Sequence, residues 1–364
     1  MGERVGKWLY NCSMAVGIFL FGILLFGAFM CLQTEFSMNS KIFSFLETGF
    51  LGALFVALYW VINKVEDKYL KKICLIMTIV IFLIQIIFIF LLQAQLRADS
   101  LQVYAEAVNM LHTGGGMQYS AYLAIYPNNI PITIVTYYLL KLASFLRIPL
   151  SEWIKFLQVC NAFAVSLGIY YVYKLVGKIS DWKKSGMFVL LCLINPVVYC
   201  YAPWYYTGTM SIPFLMAGVY YACCFSREKK YRYVILSGLV FYIGIRIRVT
   251  VAIGVIALLI YWLLCLIRKG NIDIKSISKN ILITGVFLVL FSIFWGNIEK
   301  EHVCFDYQNQ AYPAIHWLMM SSHGEGGYDV DDCKYTESFA TKEEKRKADK
   351  ERWKQYVSQM TFSD

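Results

Sequence analysis

From Ile73 to Gln93 the chain runs for 21 residues without a charged side chain. About 20 apolar residues cross the hydrocarbon core of a bilayer, so this run alone steers the chain toward a membrane. Other apolar runs, several of them shorter, lie at Leu9–Leu32, Phe43–Ile62 with Glu47 near its start, Phe156–Tyr173, Met187–Ala202, Met210–Phe225, Tyr233–Ile245, Val249–Ile267 and Ile281–Trp295. At 59% hydrophobic and 16% charged over 364 residues, the composition agrees. The expected fold is an all-α polytopic membrane protein with about nine transmembrane helices plus re-entrant or juxtamembrane helices. Leu9–Leu32 is too long for a signal-peptide core and reads as a retained span.

Charge sets the orientation. The formal net charge of +10 sits in short loops between spans, which marks the cytoplasmic side and argues against nucleic acid as a partner. One segment, Ile130–Leu150, could span or not, since it carries Lys141, Arg147 and Pro149. If it is re-entrant or lies on the surface, eighteen Lys and Arg up to Lys279 fall inside and seven outside. That asymmetry favours the re-entrant arrangement and puts the loop 95–131, the Arg246-Ile247-Arg248 turn and the tail from Asn297 outside. The domain reading is a transmembrane stretch over 1–296 and an extracytoplasmic segment over 297–364. Within that segment, Lys342–Tyr356 reads as a solvated helix near the membrane surface.

The stretch from Arg97 to Pro131 is the one long polar interruption in the apolar first two-thirds of the chain. It carries Arg97, Asp99, a Gly-Gly-Gly turn and Tyr126-Pro127-Asn128-Asn129. The Trp204–Thr209 loop with Tyr205 and Tyr206, the Arg246/Arg248 turn and His316-Trp317 are expected on the same face. Arginine forks suit phosphate oxygens, aromatic faces suit sugar rings, and a carboxylate can take a proton from a hydroxyl. Blander readings stand beside these: Asp99 as a helix N-cap, the arginines as snorkelling cations, Tyr126–Asn129 as a turn and His316-Trp317 as an interfacial anchor. His112 and His323 read as loop residues. Asp329, Asp331 and Asp332 are spaced like part of a calcium loop, but the glycine and glutamate of that pattern do not follow. Most cysteines read as small packing hydrophobes; a Cys304–Cys333 disulfide would need the tail outside the cytosol.

Leu96-Arg97-Ala98-Asp99-Ser100, followed by Tyr126-Pro127-Asn128-Asn129, Asn195-Pro196, Tyr205-Tyr206-Thr207-x-Thr209, the arginine turn and Pro313-x-x-His316-Trp317, resembles in order the GT-C membrane glycosyltransferases. The similarity is to the protein-mannosyltransferase and aminoarabinose-transferase branch of Gram-positive type. It implies a cell-membrane, multi-pass enzyme with an extracytoplasmic active face. That enzyme would move a sugar from a polyprenyl-phosphate-linked donor to an acceptor glycan, polymer or protein. Asp99 would be general base or metal-site carboxylate, and a divalent cation is the one cofactor left open. Arg97, Tyr126, Asn128, Asn129, Tyr205, Tyr206, Arg246, Arg248, His316 and Trp317 would bind substrate. Two features depart from the family: Gly208 stands where an acid is frequent, and the chain stops at Asp364 where spans usually continue. The alternative is an inactive paralogue or a transporter of lipid-linked saccharides.

Overall fold

The computed structural model describes residues 11, 12, 15, 19, 38–269, 274–324 and 326–359. The expected first span, Leu9–Leu32, apart from residues 11, 12, 15 and 19, and the last residues of the chain therefore lie outside the described residues. What is described is helical, with no strand among the described residues and one isolated parallel bridge, Met117 to Val303.

The principal helices are α1 Met38–Lys64, α2 Asp67–Leu92, α3 Ala98–His112, α4 Ile130–Phe145, α5 Trp153–Ile179, α6 Trp182–Ile194, α7 Thr207–Glu228, α8 Tyr231–Ile247, α9 Ala252–Lys269, α10 Ile274–His302, α11 Ala314–Met320, α12 Val330–Glu337 and α13 Lys342–Gln359. Three segments among the described residues are long and apolar enough to cross a membrane: Asp67–Leu92, Leu150–Ile179 and Thr207–Glu228. The chain divides into two compact units, Met1–Ala94 with Gln158–Phe291, and Gln95–Leu157 with Ser292–Asp364.

In the first unit, α2 and α6 pack around Leu70, Leu190 and Ile62, with Ile62 beneath Gly186. The expected span Met187–Ala202 is not one helix. It breaks at Asn195, whose φ/ψ of −84°/111° is extended, and restarts as Pro196–Cys200 with the Asn195 carboxamide capping Val197 N at 3.0 Å. Proline lacks an N–H and pushes its predecessor out of the α region, so Asn195-Pro196 dictates the break. The hairpin expected from Tyr233 to Ile267 is present, but its turn begins at Arg248 and runs through Val249–Val251, two residues beyond Arg246. α7 and α8 meet through small residues: Ser237 Oγ donates to Gly218 O at 2.9 Å, and Phe241 covers Gly218. Small residues let helix backbones approach closely where hydrophobicity gives no drive.

In the second unit, α4 spans 16 residues, or about 24 Å, short of a bilayer core of about 30 Å. The glycine turn before it is held, not loose. His302 Nδ1 lies 2.7 Å from Gly115 O, and a Cβ on Gly115 would sit 2.9 Å from Tyr137 Oη. α10 continues to His302, past the expected boundary at residue 296. α13 is not a free surface helix: Lys345, Ala348 and Asp349 are buried on it, and it packs on α11 and α12.

Candidate functional site

Residues 201–206, between Pro196–Cys200 and α7, are non-helical and pass beside the Arg248 turn. Together they frame a cavity of about 490 Å³. Its polar rim is Tyr201, Trp204, Tyr206, Thr209 and Arg248, and its apolar wall includes Val165 and Ile212. The extended conformation of Arg248 as the C-cap of α8 carries its side chain to Thr207, with Nη1 donating to Oγ1 at 3.1 Å. Nε donates to Thr250 Oγ1 at 3.1 Å. Among the described residues no carboxylate lies within ion-pair distance of Arg248, and none lines the cavity. A Cβ on Gly208 would stand 3.4 Å from Arg248 Nη1, so the residue at 208 faces the guanidinium directly.

Of the residues expected to bind substrate, the structure therefore joins Tyr206 and Arg248 at one cavity. Tyr205 is fully buried and does not line it, and Arg246 lies in the last turn of α8. Trp204, expected on this face as part of the Trp204–Thr209 loop, lines the cavity, and so does Tyr201, to which sequence reasoning gave no role; its aromatic character next to Asn195-Pro196 was the available signal.

The second unit gathers another set. Tyr126 packs against Tyr122, Tyr312 and Trp317 at ring separations of 5.2, 5.4 and 5.9 Å. Burial is the main cause that raises the Tyr126 pKa. Asn129 is buried and donates through Nδ2 to Tyr122 Oη at 2.6 Å, which makes it a strut of the Tyr-Pro-Asn-Asn turn. Asn128 approaches Asn129 Oδ1 at 3.5 Å. Arg97, not Asp99, is the N-cap of α3: Ser100 Oγ closes the turn with Arg97 N and O, and Asp99 stands in the first turn, where the helix dipole favours an anion.

His316 is no interfacial anchor. It is fully buried, its Nδ1 lies 2.8 Å from Thr336 Oγ1, and Thr336 in turn donates to Asp349 Oδ1 at 2.7 Å. Burial pushes the His316 pKa down to about 4 and that of Asp349 up. Trp317 remains partly exposed beside it. Cys333 packs 3.9 Å from His316 Nε2, and both it and Cys304 are free thiols, so the conditional disulfide is absent. None of Cys333, Thr336 or Asp349 was legible as a partner of His316, because they converge only through the packing of α11, α12 and α13.

His323, Asp329 and Asp332 bring ligand atoms within 4.8 Å of one another. Asp332 already holds His323 at 2.6 Å, Arg352 at 3.2 Å and Tyr356 at 2.9 Å, while Asp329 caps α12. A guanidinium against the central carboxylate opposes a cation there, and the group reads as an ion-pair cluster. Asp331 is exposed and takes no part.

Residues 16–363 match the family described as conserved hypothetical integral membrane protein. The chain belongs to that family. No curated protein and no solved structure gives a significant match. Membership of the family and the helices able to span make it a multi-pass integral membrane protein of all-α class.

Proposed function

We propose that this integral membrane protein binds a polyprenyl-phosphate-linked sugar and transfers the sugar to an envelope glycan, polymer or protein on the extracytoplasmic face. The observation that carries the reading is Arg248: a guanidinium held by two threonine hydroxyls, without a carboxylate partner among the described residues, on the rim of an aromatic and aliphatic cavity. A phosphodiester suits the guanidinium, the aromatic rings suit a sugar, and the aliphatic wall suits an isoprenoid chain. Asp99 keeps the role of general base that the resemblance to GT-C transferases implies, and the nine-span arrangement belongs to the same reading. The lipid is the partner expected at the cavity; the acceptor and any divalent cation are left to the same resemblance.

A second reading has its own observation. With Gly208 facing Arg248, no acid lines the cavity among the described residues, which favours a protein that binds the lipid-linked saccharide without transferring it. The test is a pair of variants assayed with a polyprenyl-phosphate sugar. Arg248→Ala is expected to lose binding by tenfold or more, the loss of one or more charge-assisted hydrogen bonds of about 1.5–3 kcal/mol each. Asp99→Asn is expected to bind normally and to lose transfer. Undiminished binding by Arg248→Ala would end both readings, and binding without turnover in the wild type would select the second.

A further inference from the structure

Three turns of the first unit meet at one end of it. The α1–α2 turn touches the α5–α6 turn, where Lys71 Nζ stands 5.0 Å over the Trp182 ring. The α5–α6 turn touches the α7–α8 turn, where Lys178 Nζ pairs with Glu228 Oε1 at 2.7 Å. Residues 64–72, 174–184 and 227–232 together hold twelve Lys and Arg against four Asp and Glu, an excess of eight in a chain whose formal net charge is +10. Most of the net charge of the protein is thus concentrated on one end of one unit.

Two features say what that end faces. Aromatic rings stand at the level of the cations: Lys64 lies 3.2 Å over Trp60, Lys174 lies 5.2 Å from the Tyr170 and Tyr220 rings, and Tyr69 and Tyr231 are exposed. Tyr and Trp at the ends of apolar helices mark the headgroup layer. The second is a stripe on α2: exposed Lys72 is followed at helical spacing by Ile76, Ile79, Leu83, Ile87 and Phe90, all of them exposed. Residues three and four apart share a helix face, so a cation heads an uninterrupted apolar track.

We propose that this end is a binding site for an anionic phospholipid, with the headgroup phosphate against the lysines at the head of α2 and the Trp182 turn, and the acyl chains along the α2 stripe. A nucleic acid or an acidic protein would find the charge but would leave the apolar track uncovered. The site is separate from the Arg248 cavity, which lies at the other end of α7.

The full-length protein in detergent, titrated with dioleoylphosphatidylglycerol, dioleoylphosphatidylcholine and free glycerol phosphate, tests the assignment by native mass spectrometry and thermal melting. Phosphatidylglycerol is expected to bind about tenfold or more tightly than phosphatidylcholine, to raise the melting temperature, and to weaken in high salt. Lys72→Gln with Lys184→Gln is expected to remove most of that preference, Lys72→Arg with Lys184→Arg to keep it, and Arg248→Ala to leave it unchanged. Equal binding of the two lipids, or a preference that survives the glutamine pair, would overturn the proposal. So would binding of free glycerol phosphate as strong as that of the lipid, or displacement of the lipid by a short oligonucleotide or an acidic peptide.

Discussion

Gln158 Nε2 donates to the carbonyl of Ala94 at 2.7 Å. The chain leaves the first unit at Ala94 and re-enters it at Gln158, so the 63 residues of Gln95–Leu157 begin and end at the same end of that unit. The 16 residues of α4 fall short of a bilayer core, so the segment is expected to make no net crossing. Single cysteines placed at Lys68, Asp181 and Lys229 in a cysteine-free background are therefore expected to label from one side of the membrane, and one at Trp204 from the other. Labelling of positions 68 and 181 from opposite sides would refute this topology.

Gly208 leaves Arg248 open to a ligand, so an acid there is expected to close it. Gly208→Asp places a carboxylate against Nη1 and forms an ion pair within the protein. The expected result is tenfold or greater loss of lipid-phosphate binding, with thermal stability unchanged or raised. Gly208→Ala, whose Cβ meets Nη1 at 3.4 Å, is expected to bind within a fewfold of the wild type. Isothermal titration of the two variants checks the difference.

His316 sets a pH dependence on the second unit. Its pKa is lowered to about 4, below the usual value of 6.5, so the unfolded chain binds more protons between those values. Stability from this group is complete above about pH 6.5 and is lost as pH falls toward 4, by up to about 3 kcal/mol at about 1.4 kcal/mol per pKa unit. Asp349 acts with the opposite sign: its raised pKa means that the folded form takes up a proton first, which offsets part of the loss at the acid end of the window. His316→Gln is expected to flatten the melting temperature between pH 4 and 6.5, measured on the full-length protein.

Gly218 carries the α7–α8 contact. A Cβ there would lie 2.6–2.7 Å from three carbons of the Phe241 ring, so Gly218→Ala must displace a buried aromatic side chain. Overpacking of this kind lowers stability by about 1–3 kcal/mol. Gly218→Ala with Phe241→Leu is expected to recover part of the loss in a thermal melt.

Much of the local structure follows from neighbours in the chain. The apolar runs at 73–93 and 210–225 fall in helices long and apolar enough to cross a membrane, because lipid or a large core accepts such lengths of uncharged side chain. Asn195-Pro196 carries a local signal for the break that the expected span Met187–Ala202 passed over, and Asp181, Asn195 and Asp329 cap the helices they precede because their short oxygens reach the free N–H groups of the next turn. The clustering of Lys and Arg in three turns is likewise written in the chain.

The partnerships were not. Arg248 faces Gly208, and His316 reaches Asp349 through Thr336, across 40 and 33 positions of sequence. Neither pair has a spacing that a helix or turn could enforce. The grouping of Gln95–Leu157 with Ser292–Asp364 is also decided by packing, through contacts such as His302 on Gly115 and Tyr312 on Tyr126. Local rules fix which residues are helical and where helices end, because backbone hydrogen bonds must close within a few residues. Which helix ends meet, and so which cation is left for a ligand, is set by how side chains from distant segments fill space together, and only the tertiary structure holds that information.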